Sequence, residues 1–157
     1  MRLKTSYSSR EVAALTGLTA RQLQLWDASH LFQSAIASRK TSLGGFTERR
    51  YSPVDVIELL ALADLRRQGF APAALKQLLD TLRDYFRRRV SETLDDAGEM
   101  RLLTDGRALF LRTRQGHVFD LLVDPTQPLI TGDGLSLRPV LARARTKKRK
   151  SSTKHQT

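Results

Sequence analysis

The chain has 157 residues, 40% of them apolar, and 27 Lys and Arg against 16 Asp and Glu give it a formal charge of +11. That length holds one compact domain or two small modules, and the longest apolar run, residues 59–63, is too short to cross a membrane. With no cysteine, disulfide scaffolds, thiolate metal sites and cysteine nucleophiles are excluded, and a reducing, cytoplasmic setting is expected.

The opening residues are polar with no apolar stretch behind them, so no secretory signal is expected. The charge is uneven. Residues 1–51 carry eight basic and three acidic side chains, residues 52–142 carry twelve and thirteen, and residues 143–157 carry seven basic groups and no acid. A basic segment at each end of a neutral middle points to a polyanion partner, of which nucleic acid is the commonest.

Ser8 and Glu11 stand at capping-box spacing, Val12 and Leu15 mark an apolar face, and Gly17 offers a left-handed stop. Thr19 and Gln22 repeat the capping box, and Leu23 and Trp26 share one face of the helix that follows. Two short capped helices joined by a glycine turn make a helix-turn-helix. Val12, Leu15, Leu18, Leu23 and Trp26 are its expected core.

Between residues 31 and 51 the pattern loosens. Residues 34–38 alternate, Leu43, Gly44 and Gly45 can turn the chain, and residues 46–51 read as a returning strand. This predicts a wing carrying Arg39, Lys40, Arg49 and Arg50. Ser52, Pro53 and Asp55 then open a third helix, apolar nearly all round and so central, that stops at Gly69. Pro72 opens a fourth, with Leu75, Leu78, Leu79, Leu82, Phe86 and Val90 at spacings of three and four. Arg87, Arg88 and Arg89 interrupt that seam and read as a solvated helix face.

After residue 95 the period becomes two. Residues 100–103, 108–113 and 117–123 read as strands, with turns at Asp105-Gly106 and Gln115-Gly116. Pro125 and Pro128 are expected to end this meander, and residues 135–138 to add one more strand. The tail from Arg143 has almost nothing to bury and is expected to be disordered. The fold class is therefore α+β: a winged helix-turn-helix domain over residues 1–80, a helical linker or dimerisation segment over 81–99, a small antiparallel β-meander over 100–142 and a basic tail.

The stretch from Tyr7 to Leu23, with Trp26-Asp27 behind it, resembles the opening of MerR-type transcription regulators. Arg49-Arg50-Tyr51-Ser52, Asp55-Val56 and the break Arg67-Gln68-Gly69-Phe70 are similar to that family's wing end and next two helices. Leu25 stands where the family has the first of two aromatics, and residues 33–48 make a longer wing. The resemblance implies sequence-specific binding of double-stranded DNA by a homodimer on a pseudo-palindromic promoter site, contact with RNA polymerase there, and control by bending and untwisting the DNA.

Arg21 has the clearest functional claim. A cation in the first turn of a helix opposes the dipole, so helix stability does not explain it, whereas a guanidinium there can reach a phosphate or a guanine edge. Gln22 and Gln24 can read base edges, and Arg39, Lys40, Arg49 and Arg50 can hold phosphates. Ser8, Thr19, Leu25, Trp26 and Tyr51 complete the expected DNA-facing set. His117 has no metal-ligand spacing to His30 or His155 and no nucleophile pattern beside it, so neither an enzyme nor a cofactor or metal is expected. Two other readings share the winged core: an excisionase-like architectural DNA binder, and an antitoxin-like operator binder with a protein partner.

Overall fold

The computed structural model describes residues 4–34, 39–40, 47–130 and 136–140, and the architecture is α+β. A short strand β1 (Tyr7–Ser8) leads into α1 (Ser9–Thr16) and α2 (Ala20–Ala28), followed by β2 (Arg39–Lys40) and β3 (Thr47–Glu48). β4 (Arg50–Tyr51) precedes α3 (Pro53–Arg67) and α4 (Pro72–Asp84). A 3-10 turn (Val90–Thr93) connects to β5 (Met100–Thr104), β6 (Leu109–Thr113), β7 (Val118–Asp120), β8 (Asp124–Leu129) and β9 (Arg138–Pro139). The expected turn at Leu43, Gly44 and Gly45, residues 35–38, Phe46, Leu135 and the tail from Arg143 lie outside the described residues.

Three helices begin with reciprocal caps, two at the predicted capping boxes and the third at the predicted Ser52 cap. Ser8 Oγ accepts from the Glu11 N–H at 3.2 Å, and Glu11 Oε1 accepts from the Ser8 N–H at 3.3 Å. Thr19 with Gln22 and Ser52 with Asp55 repeat the arrangement, with every bond between 2.8 and 3.1 Å. Such a cap contributes about 1 kcal/mol and fixes the residue at which the helix starts. Gly17, at φ +76, closes α1. At the end of α3 the Phe70 N–H donates to Leu65 O and the Gly69 N–H to Arg66 O, a closure that needs the left-handed φ of +100 at Gly69.

α3 is central, with Val56, Leu59, Ala61, Leu62, Ala63 and Leu65 buried, although Val54 and Ile57 face outward. Leu15 departs from expectation: it is 54% exposed. The inward positions of α1 are Val12 and Thr16, one turn apart, and Thr16 satisfies its hydroxyl by donating to Val12 O at 2.8 Å. The buried stripe therefore runs along the other flank of Val12.

The seam predicted through Phe86 and Val90 does not continue as helix, because α4 ends at Asp84 and Arg87 takes a φ of +49. The three arginines are accordingly not one solvated helix face. Arg88 pairs with Glu99 at 2.6 Å. Arg89 reaches back to α3 and donates to both Glu58 oxygens, at 3.0 and 3.4 Å. Burial pushes the Glu58 carboxyl above its ordinary range, against the opposing pull of the Arg89 guanidinium.

The five later strands form one antiparallel sheet in the order β8-β7-β6-β5-β9. Gly106 (φ +94) and Gly116 (φ +92) make the two predicted hairpin turns. The strand expected over 117–123 stops at Asp120, whose carboxylate accepts the N–H groups of Leu122 and Val123 at 3.0 and 3.2 Å and bends the chain. Pro125 and Pro128 do not end the meander. They sit in β8, an edge strand, where a missing N–H is tolerated. The final strand, Arg138–Pro139, overlaps the predicted 135–138 only at Arg138.

Leu102, Leu109 and Leu111 of the sheet, with Leu121 and Val140 just after β7 and β9, join the same core as the helices, so one apolar cluster runs from Val12 to Val140. Phe86 meets Phe119 edge-on at 5.6 Å where α4 gives way to the sheet. On the sheet's other face Leu103, Phe110 and Val118 form a smaller cluster with Ala108 and Leu137. Among the described residues no helix is long and apolar enough to cross a membrane.

Candidate nucleic-acid interface

The caps set the rotational phase of α2, and the phase sorts its side chains. Leu23 and Trp26 are buried in the common core, while Arg21, Gln24, Leu25 and Ala28 are exposed. Those four stand at i, i+3, i+4 and i+7, one stripe along the outer face of a short helix. Arg21 makes no hydrogen bond or ion pair with any described residue. Leu25, at 55% exposure, gains little from the fold where it stands. The stripe thus combines a free guanidinium, a carboxamide and an apolar side chain, the three groups that a major groove can engage.

The remaining sequence-predicted residues of the helix-turn-helix take other places. Ser8 and Thr19 use their hydroxyls as caps, and Gln22 spends its carbonyl oxygen on the Thr19 N–H. The Gln22 side chain lies half-buried, with its amide N–H donors still available. Trp26 is 5% exposed and supports the stripe from behind. Tyr51 is 2% exposed, and burial raises its phenol above the usual value while a hydrogen bond with Ser9 opposes that shift.

The end of α2 is held as firmly as its start. The Leu31 N–H donates to Trp26 O at 2.9 Å and the His30 N–H to Asp27 O at 3.2 Å, with His30 at φ +57 in the place where glycine is usual. From there the chain enters the wing, where Arg39 pairs with Glu48 and Lys40 with Thr47 across two antiparallel strands. The root of the wing is fixed by side-chain and backbone bonds. Arg49 holds Asp27 of α2 through two nitrogens at 2.9 and 3.0 Å. Arg50 donates to Ser6 Oγ at 2.7 Å, and its carbonyl accepts from the Ser34 hydroxyl. β4 also pairs with β1, placing Tyr51 opposite Tyr7 and Arg50 opposite Ser8.

Asp27, Ser6 and Ala28 are absent from the set expected from sequence. Asp27 had a detectable signal: a carboxylate in the last turn of a helix opposes the dipole, so it needs a cation elsewhere. A two-residue pair such as β1 with β4 shows no periodicity, and Ser6 follows from that pairing alone. His117 lies exposed in the β6–β7 hairpin, its N–H donating to Thr113 Oγ1 at 3.2 Å. Among the described residues no group of three His, Cys, Asp or Glu is placed to hold a metal.

Residues 7–82 match the family model described as MerR HTH family regulatory protein. No curated protein matches the chain. The matched span contains both capped helices, the wing and the two helices behind them, so residues 7–82 form a helix-turn-helix domain of the MerR family of DNA-binding transcription regulators.

Proposed function

We propose that the chain controls transcription by binding a pseudo-palindromic promoter site as a homodimer, working in the cytoplasm. The stripe of Arg21, Gln24 and Leu25 reads base edges in the major groove, with Gln22 at its margin. Arg39, Lys40, Arg49 and Arg50 hold flanking phosphates, while Ser8, Thr19, Trp26 and Tyr51 set the position of the elements that make contact. One observation carries this reading: a cation with no partner among the described residues stands in the first turn of a helix braced at both ends. A dimer follows because one recognition helix presents a reader for a single half-site, and two such helices reach half-sites one turn apart. A protein seated there can also touch RNA polymerase.

The test is selection of bound duplexes from a random pool, followed by sedimentation of the protein with and without the selected DNA. A palindromic consensus bound by two chains is the expected result. A chain that selects no sequence, or remains monomeric in both conditions, contradicts it.

A further inference from the structure

The β-meander meets the C-terminal end of α3, which lies beside the start of α2. Asp27, at the C-terminal end of α2, is the residue that Arg49 of the wing root holds. At the N-terminal end of α2, Gln22 and the turn residues Thr16, Gly17 and Leu18 share a cleft with Arg66 and Arg67 of α3. The Arg67 guanidinium lies 3.5 Å from Thr16 O. The next residue, Gln68, receives a hydrogen bond from Arg138 of β9 at 3.3 Å. Arg138 in turn passes within 3.5 Å of the position a Cβ would take on Gly106, in the β5–β6 hairpin turn that also carries Arg107. A run of neighbouring residues thus leads from the start of α2, through the end of α3, to the hairpin tip.

All four arginines along this path are exposed. Arg66 and Arg107 make no ion pair with a described residue. Two carboxylates stand nearby, and both are occupied. Asp64 is 7% exposed and accepts from Gln68 at 2.8 Å, with Arg67 at 3.7 Å. Asp105 folds over its own turn, accepting from the Arg107 and Ala108 N–H groups at 2.8 Å each. Arg66 and Arg67 have a local reason to lie at a helix C-terminus. Arg107 and Arg138 lie on a hairpin turn and an edge strand, where no helix dipole accounts for them.

We propose that Arg107 and Arg138, joined to α2 through Arg66 and Arg67, form a second backbone-binding ridge for duplex DNA, so that the β-meander is part of the DNA interface. This rests on the DNA-binding reading given above. The recognition helix has nine residues, about 13 Å at 1.5 Å per residue, so ridge and wing flank the major-groove contact at its two ends. Exposed guanidiniums that follow a helix end into a hairpin suit the regular phosphates of a duplex, which position a protein without reading sequence.

The test compares wild type with Arg107→Glu and the pair Arg107→Ala with Arg138→Ala on a mixed-sequence 30-bp duplex. Affinity is measured as a function of salt, and hydroxyl-radical protection is mapped on the selected site. Arg107→Glu leaves the Asp105 turn bonds in place, because those use backbone N–H groups. The ridge predicts that the log–log salt slope falls by roughly 0.9 for each phosphate no longer neutralised, and by up to about twice that for the double variant. Protection should shorten on one side of the major-groove footprint, the side opposite that affected by Arg50→Ala. Slopes and footprints identical to wild type in both variants, with Arg21→Ala still impaired, overturn the ridge and leave the recognition helix standing. A wild-type chain that binds no duplex overturns both readings.

Discussion

Asp27 and Arg49 join the last turn of α2 to the root of the wing, with nitrogen–oxygen distances of 2.9 and 3.0 Å. Each side chain is about one-third exposed, so the pair adds at most about 1 kcal/mol to stability. Its consequence is geometric: the wing cannot swing without dragging a guanidinium off the helix. Asp27→Asn and Arg49→Ala should each weaken DNA binding, although Asp27 carries no positive charge toward DNA. In a double-mutant cycle on DNA affinity, a coupling of about 0.5–3 kcal/mol is expected, and strictly additive effects would show that Arg49 acts on DNA alone.

Gly17 turns the chain between α1 and α2 at φ +76, with 3.5 Å of room between an added Cβ and the Arg67 guanidinium. The space is adequate, but the backbone is not. Gly17→Ala should cost about 1–2 kcal/mol, the penalty for a left-handed L-residue, and chemical denaturation measures it directly. Leu15→Ala on the neighbouring face should stay within about 0.5 kcal/mol, because an exposed side chain has little packing to give up.

Arg89 closes over Glu58, with Asp55 beyond it at 3.6 Å. Removing it leaves the buried Glu58 carboxylate short of its cation. Loss of one partner from a fully buried pair costs about 3–5 kcal/mol, and since Arg89 is half-exposed, Arg89→Ala should destabilise by about 2 kcal/mol.

The pH dependence of that cluster has a definite sign. Burial, the largest influence, raises the Glu58 carboxyl, so the folded chain binds this proton more readily than the unfolded chain does. Stability must then increase as pH falls from above the folded value toward the ordinary carboxylate range. Denaturation of wild type and Glu58→Gln across pH 7 to 4 should show wild type gaining on the variant as the medium acidifies. A gap that is flat or widens the other way would mean that Arg89 outweighs desolvation.

Local chemistry made much of the fold legible. Ser8, Thr19 and Ser52 announced three helix starts because a cap depends on residues only three apart. Gly69, Gly106 and Gly116 announced closures because φ > 0 selects glycine. What escaped the sequence was settled by distant partners. Arg87 turns left-handed without being glycine because Arg88 and Arg89 find Glu99 and Glu58 on either side. Pro125 and Pro128 read as breakers and became an edge strand because β7 offers β8 a ladder on one side. The candidate interface divides in the same way. Arg21 and Gln24 could be picked from helix phase, whereas Asp27 and Ser6 enter only when Arg49 and Arg50 at the wing root fold back on them, and Arg138 is drawn in only by its bond to Gln68 at the end of α3.

The central claim is that α2 reads DNA and the basic residues around it grip the backbone. It is tested most directly by titrating wild type and Arg21→Ala against the selected duplex and a scrambled one at matched salt. Wild type should prefer the selected site by at least about a thousandfold, and Arg21→Ala should lose about 1–3 kcal/mol on that site and far less on the scramble. Equal affinity of wild type for both duplexes, or equal losses of Arg21→Ala on both, would contradict it.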